Sequence, residues 1–579
     1  MRRDGMLRRA LLAGTGALTF ITTAGTVPGR ADDTAALADL LANKGVITAS
    51  EAQSIRSAPA PAREGRLTYI LRKKGVLGDE DLKSLGTQPQ PASRPVAVAT
   101  PVAVATPVAV ATPVAVATQD PSSALAAKPP APPVFRKAGI TVGAFEVAPV
   151  GYVALTTVTR STNTGNPGGT NFFAIPFENT VAGNIGETRV TANASRLGLR
   201  AHAAANSWLD VVGYFEADFL GNDAANVFVS PNSHTFRERL AYADVNTSQL
   251  EFSAGQMWSW LTPNRKGLGP DPRTVFATLN VDPNLNVGIP GTRDAQARVA
   301  WHPSKEFAIG VGIENPDQFG GQGEITFPAA FNAQLAGQID QANITSAPNA
   351  VPDVVGKATY DTDWNTQHFH VEAAGMVRQF KVTDIPAITG ANFVNHTANG
   401  WIAALAANLE IFKGFNAVGN VFWSEGGGRY LYTGLGPDLV VLPNAAGTDV
   451  FISTVRTKAF LFGAEWQATA NTILAGYYGE AFFNNNFALD TTAGAKPGTF
   501  VGFGFPSTTA NVSNQNKFMQ EWTADIKHTW WADPRLGALQ TLLQYSYVQR
   551  QPWFVVAGAP PEAHVHMFYT EFRYVLPGT

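Results

Sequence analysis

The side chains best suited to chemistry are arginines and carboxylates placed at every second position of apolar segments. Arg196, Arg200 and His202 alternate with Leu197, Leu199 and Ala201. Glu216 and Asp218 alternate with Phe215, Ala217 and Phe219. Arg237 and Arg239 share a parity opposite to Leu240 and Tyr242. Arg298 and His302 do the same against Val299 and Trp301. His368, His370, Glu372 and Arg378 also share one parity. Successive side chains of a β-strand point to opposite faces, so each segment predicts one apolar face and one charged face. If the apolar faces turn outward, the charges meet in an interior. An arginine fork matches the two oxygens of a carboxylate or phosphate, and charges along a pore wall set ion selectivity through their local potential. Two readings stay open: the basic residues select anions, or they pair with Glu216, Asp218 and Glu238 and stiffen the wall.

Other chemistry finds less support. The His-x-His pairs His368/His370 and His564/His566 each put two imidazoles on one strand face, an arrangement able to bind metal. No third ligand stands near either pair in sequence, so no metal is expected. Nine histidines are scattered without a nucleophile motif, and catalytic residues are expected to be none. No Gly-rich phosphate motif or cofactor signature appears, and the expected cofactor is none. Cysteine is absent, which excludes disulfides and thiol catalysis and suits passage through an oxidising compartment.

The elements that position these residues follow a period of two. Segments of about ten residues, the length a tilted strand needs to cross a bilayer, are predicted at 150–160, 188–203, 208–220, 236–246, 250–260, 293–302, 306–314 and 356–362. Eight more fall at 366–380, 398–410, 415–424, 456–467, 473–482, 518–530, 538–550 and 564–576. Connections between them alternate short and long, the asymmetry of periplasmic turns and extracellular loops. The predicted class is all-β, a 16-stranded antiparallel transmembrane β-barrel. An even count returns both ends to one side. Trp208, Trp301, Trp364, Trp466, Trp530 and Trp531 fall at the short-turn ends, and Trp258, Trp260, Trp423 and Trp553 at the other, as two aromatic girdles would. In the last segment Phe568, Thr570, Phe572, Tyr574 and Leu576 share one face, with Tyr569, Glu571 and Arg573 opposite.

Composition supports this class. Only 15% of residues are charged, against about 25% in ordinary soluble domains. The one long apolar stretch lies at the N-terminus, so no transmembrane helix is expected beyond it. A net charge of −3 supplies no basic excess for nucleic acid. Residues 1–31 read as a signal peptide, with basic Arg2, Arg3, Arg8 and Arg9 before an apolar run. Residues 32–87 hold a repeat offset by 30, Leu40 to Ile47 against Ile70 to Leu77. It predicts short helices that stop at glycine, with Thr48 and Glu51 as a capping box. A helical spacer and a cell-wall contact are both open for this segment. Residues 88–135 form a linker in which Pro-Val-Ala-Val-Ala-Thr occurs four times; proline every sixth residue blocks helix and sheet. Residues 136–579 form the barrel domain.

Four motifs then resemble a known family. Ser195-Arg196-Leu197-Gly198-Leu199-Arg200, Gly213-Tyr214-Phe215-Glu216-Ala217-Asp218-Phe219, Arg237-Glu238-Arg239-Leu240-Ala241-Tyr242 and Ala254-Gly255-Gln256-Met257-Trp258-Ser259 resemble the DcaP-like trimeric outer-membrane porins, with the phosphate-selective porins as more distant relatives. The resemblance is sharpest over the second to seventh segments. It implies a homotrimer in outer-membrane lipid and lipopolysaccharide, an N-terminal periplasmic extension, and passage of small anionic solutes such as dicarboxylates. Arg196, Arg200, Arg237, Arg239, Arg298, Arg378, Glu216 and Asp218 would line the pore. Arg265, Lys266, Asp271 and Arg273 stand where general porins place the loop that narrows the channel. A mainly structural protein, tethering membrane to cell wall, is the alternative.

Overall fold

The computed structural model describes residues 38, 41–42, 46–56, 67–68, 70–71 and 139–579, apart from 165–168, 207, 222–233, 277, 342–346, 432–435 and 507–514. The expected signal peptide and the proline-rich linker lie outside the described residues. The chain divides into two units, 1–125 and 126–579.

In the first unit a helix spans Ala49–Arg56. Its start is the expected capping box: the Thr48 N–H donates to Glu51 Oε2 at 2.6 Å, and the Glu51 N–H donates to Thr48 Oγ1 at 3.3 Å. Ala52 and Ile55 pack with Ala38, Leu41, Ile47, Leu67, Ile70 and Leu71. The cluster draws Leu41 and Ile47 from one repeat copy and Ile70 and Leu71 from the other, so each copy supplies apolar surface that the other buries.

The second unit is a closed 16-stranded antiparallel barrel. Its strands are β1 Phe145–Arg160, β2 Arg196–Asn206, β3 Leu209–Asp218, β4 Arg237–Thr247, β5 Leu250–Trp258, β6 Arg293–Trp301, β7 Phe307–Glu314 and β8 Asp353–Trp364. The remainder are β9 Gln367–Asp384, β10 Val394–Phe412, β11 Phe415–Glu425, β12 Arg456–Thr469, β13 Thr472–Phe483, β14 Asn516–Asp533, β15 Gly537–Pro552 and β16 Ala563–Val575. Each pairs with its chain neighbour, and β16 closes the cylinder on β1, from Tyr152 against Val575 to Arg160 against Met567. A short strand, Glu187–Thr191, continues β2 along β1 past a break at 192–195. Closure leaves no sheet edge, which a strand structure in lipid requires. Both barrel ends lie by the short turns, where Thr579 Oγ1 accepts from the Gly151 N–H at 2.8 Å.

Exposure alternates along the strands as the sequence predicts. Leu197, Leu199, Val299, Trp301, Phe568 and Phe572 are exposed, while Glu216, Arg298, Tyr569 and Glu571 are buried on the inner face. The reading of β4 needs correction. Leu240 and Tyr242 do not face out; they are buried inside, with Tyr242 stacked on Tyr214 at 5.4 Å between ring centres. The cause is a β-bulge. The register shifts where Glu216 faces Leu240 while Ala217 faces Glu238, leaving Arg239 as the extra residue. Beyond a bulge the parity of every later residue reverses, so Arg237 and Arg239 stay inside along with Leu240 and Tyr242. Trp260 also departs from the girdle. It is 2% exposed and sits within the barrel, its indole N–H donating to the Leu268 carbonyl at 3.0 Å.

At the long-loop end the interior is filled by apolar loop residues. Leu439–Pro443 and Val450–Thr454 form one hairpin, and Asn486–Leu489 with Phe500–Phe503 another. Leu439, Val441, Ile452 and Phe503 pack with Phe331 and with inward Phe380, Ile402, Phe422 and Phe483. These loops form a plug-like layer that narrows the mouth.

Candidate functional site

The connection at 259–292 turns into the barrel rather than away from it. Its first part is a hairpin, with Asn264 bridged to Val275 and the Phe276 N–H donating to the Pro263 carbonyl at 2.7 Å. A loop inside a barrel must satisfy its backbone groups on the wall, and the wall supplies them. The Asn264 N–H donates to Glu372 Oε2 at 3.0 Å and the Gly267 N–H to Asp361 Oδ2 at 3.0 Å. Lys357 Nζ, fully buried, reaches the Thr262 carbonyl at 2.9 Å, Asn264 Oδ1 at 2.8 Å and Glu372 at 2.9 Å. Further along, the Val287 N–H donates to Glu521 at 2.8 Å, Asn420 Nδ2 to the Gly288 carbonyl at 2.8 Å, and Tyr569 Oη to Asp282 at 2.6 Å. Contacts on β8, β9, β11, β14 and β16 therefore hold the loop across the lumen. Close approach is allowed by glycine: a Cβ on Gly479 would lie 1.8 Å from the Val287 carbonyl oxygen.

The tip of the hairpin carries the charges. Both Arg265 terminal nitrogens lie 2.7 Å from the Glu465 carboxylate on β12. Arg273 forks onto Asp271. Burial works to raise the Asp271 pKa, but hydrogen bonds and charge from Arg273, with Arg200 further off, outweigh it and hold the carboxyl below its usual range. Lys266 is exposed and, with Arg200, makes no hydrogen bond or ion pair with the described residues.

Opposite the tip, β1, β2 and β16 present an arginine face. The Arg573 guanidinium lies 3.9 Å and that of Arg196 5.3 Å from the centre of the Tyr152 ring. Arg573 also pairs with Glu571, its Nε donating at 2.6 Å. Glu216 and Asp218 are fully engaged: Arg239 reaches them at 2.7 and 2.8 Å, and Arg237 takes Asp218 through both oxygens at 2.9 and 2.8 Å. Arg196 stands 3.9 Å from Glu216. Three arginines thus meet two carboxylates.

The expected arginines therefore fall into two groups. Arg196, Arg200, Arg237, Arg265, Lys266 and Arg273 retain exposure toward the interior, while Arg239, Arg298 and Arg378 are buried. Arg298 lies over the Trp260 ring at 5.0 Å, beneath the base of the hairpin. Arg378 lies under the mouth loops, 2.9 Å from both Asp353 and Asp438. Lys357, Lys527 and Tyr152 join the inner face without being singled out by the sequence motifs. Lys527 is half-buried on the inner parity of β14 and forms no ion pair with the described residues; alternation alone would have found it. His370 is held between Asp361 at 2.9 Å and Glu372 at 3.1 Å.

A closed sixteen-stranded cylinder, with short turns at one end, long loops at the other and an inward loop crossing it, decides the class. This is the fold of an outer-membrane porin. The porin barrel is similar to the outer-membrane channel DcaP of Acinetobacter baumannii, with a TM-score of 0.52 and 16% identity over 76% of this chain and 99% of that one. A looser likeness is to an anion-selective porin from Comamonas acidovorans, at 10% identity and a TM-score of 0.38 over 74% of this chain and 99% of that one. No protein-family model and no curated protein matches the chain.

Proposed function

We propose that the protein is a passive outer-membrane channel for small hydrophilic anions, carboxylates or phosphate-like solutes. The observation that carries this is an imbalance of pairing at the constriction. Glu216, Asp218, Asp271, Glu465 and Glu571 accept hydrogen bonds from arginines, while Asp525, beside Lys527 on the inner parity of β14, has no hydrogen-bond partner among the described residues. Arg200, Lys266 and Lys527 are left without a partner among the described residues. Anions passing the tip would meet fixed positive charge at close range, in a narrow wall where the field is concentrated. The arginine ladder Arg196, Arg200, Arg237 and Arg573, facing Arg265, Lys266 and Arg273, would line this path, with Arg239, Arg298 and Arg378 holding its shape.

In this reading the short-turn end and the helical extension lie in the periplasm, and the mouth loops meet lipopolysaccharide. The barrel works as a homotrimer. A patch of small outward residues, Ala201, Gly213, Ala241, Ala243 and Ala254 beside Leu199 and Phe215, supports this, because small side chains let membrane segments approach closely. The test is planar-bilayer recording under a salt gradient. Steps in threes with an anion-selective reversal potential are expected; a cation-selective potential would overturn the anion reading.

A further inference from the structure

We propose that Asp384, His396 and Asp449 form a divalent-metal site that fastens a mouth hairpin to the barrel rim. His396 Nε2 lies 2.8 Å from Asp384 Oδ1 and 3.1 Å from Asp449 Oδ1. One ligand atom from each residue falls within 4.8 Å of the others. Bond lengths of about 2.0–2.2 Å to an ion such as Zn2+ put adjacent ligand atoms roughly 3 Å apart, which is the spacing of both aspartate oxygens from His396 Nε2.

A second observation points the same way. The Asp384 side chain is fully buried, and its Oδ2 has no hydrogen-bond partner among the described residues. A buried carboxylate oxygen without a donor is costly, and a cation bound between the two aspartates would engage it. The two carboxylates also face one shared imidazole, which neutralises only one of them even when protonated. His396 and Asp449 keep partial exposure, 17% and 29% of their side chains. That leaves an entry path and room for water at the remaining coordination positions. One imidazole nitrogen with two carboxylate oxygens suits Zn2+ and its first-row neighbours.

The three residues come from three places. Asp384 ends β9, His396 begins β10, and Asp449 precedes the return strand Val450–Thr454 of the mouth hairpin. The Ala387 N–H donates to the Thr448 carbonyl at 2.7 Å, so the hairpin turn already rests on the rim. At the other end of the same hairpin Asp438 is held by Arg378. A bound ion would fix the second end, so that the lid is pinned at both.

The experiment is equilibrium dialysis of the untagged, refolded full-length protein against Zn2+ after a chelator wash, with metal counted per chain. One Zn2+ per chain is expected. His396→Gln and Asp449→Asn should each weaken it at least tenfold while the barrel stays heat-modifiable. His564→Gln/His566→Gln, on the outer face, should leave it unchanged. No stoichiometric Zn2+ in the wild type would overturn the site and leave an imidazole bridge between two aspartates. Zn2+ retained in both single variants would also overturn it. Asp449→Asn changes a partly exposed residue, so it tests the site even where a change at buried Asp384 disturbs folding.

Discussion

Arg265 and Glu465 meet as a fork on a carboxylate, with two nitrogen–oxygen contacts of 2.7 Å between the hairpin tip and β12. The pair joins residues 200 apart in the chain, and it is one of the ties that hold the tip across the lumen. Arg265→Ala should free the tip while the strands stay paired. The expected result is a larger and noisier single-channel conductance. A stability loss of about 1–3 kcal/mol is expected in urea unfolding, the usual cost of an unmatched charged hydrogen bond. Unchanged conductance would mean that other ties place the tip on their own.

The seat of the loop on β13 depends on the absence of a side chain. Gly479→Ala would press a Cβ against the Val287 carbonyl oxygen, 1.8 Å away. Overpacking of this kind costs roughly 1–3 kcal/mol. Gly476, on the outer face of the same strand, has its nearest atom at 3.8 Å, and Gly476→Ala should be nearly neutral. Thermal unfolding of both variants, followed by loss of the heat-modifiable band, separates a lumen clash from a general dislike of alanine in the strand.

Acid should loosen the tip before it unfolds the barrel. The Asp271 carboxyl is held below its usual range by Arg273. A group with a depressed folded pKa adds stability above its unfolded pKa and loses it as pH falls through the folded value. The tip is therefore expected to stay ordered at neutral pH and to loosen only in acid, below the normal aspartate range. Conductance recorded from pH 7 downward should turn noisy there, and Asp271→Asn should show that noise at neutral pH already.

The sixteen strands were legible because each combines apolar alternation with a turn or loop at either end, and register follows from which face must meet lipid. Legibility failed where a single residue breaks the period. Nothing in Arg237-Glu238-Arg239-Leu240 announces that Arg239 is extra, so alternation alone puts Leu240 and Tyr242 on the wrong face while placing both arginines on the right one. Trp260 misled in another way: its place near a strand end suits a girdle, but the chain turns inward one residue earlier. The loop's path across the lumen could not be read at all, since it depends on carboxylates from β8, β9 and β14 accepting its N–H groups. The same limit explains the split among the arginines. Parity says that a residue faces in; only the loops above it decide whether it meets solute or protein.

That split gives the sharpest test. Arg200 reaches the interior without a partner among the described residues, while Arg378 is fully buried between Asp353 and Asp438. A single charge about 7 Å from a passing ion contributes on the order of 1 kcal/mol at an effective dielectric between protein surface and water. Arg200→Ala should therefore reduce anion permeability by about fivefold, and anion-over-cation selectivity by more because cations gain as anions lose, and leave urea stability within about 0.5 kcal/mol. Arg378→Ala should do the reverse. It removes one of the two guanidiniums that face buried Asp353 and Asp438, leaving Arg429 and Tyr430 as their side-chain partners, a change that costs about 3–5 kcal/mol, and it loosens the mouth hairpin at Asp438. Selectivity should move much less, because the charge it removes lies buried beneath the mouth loops among Asp353, Asp438 and Arg429 rather than beside the path. If Arg378→Ala shifted the reversal potential as far as Arg200→Ala, the mouth loops would not be closed over it, and the division between structural and solute-facing arginines would fail.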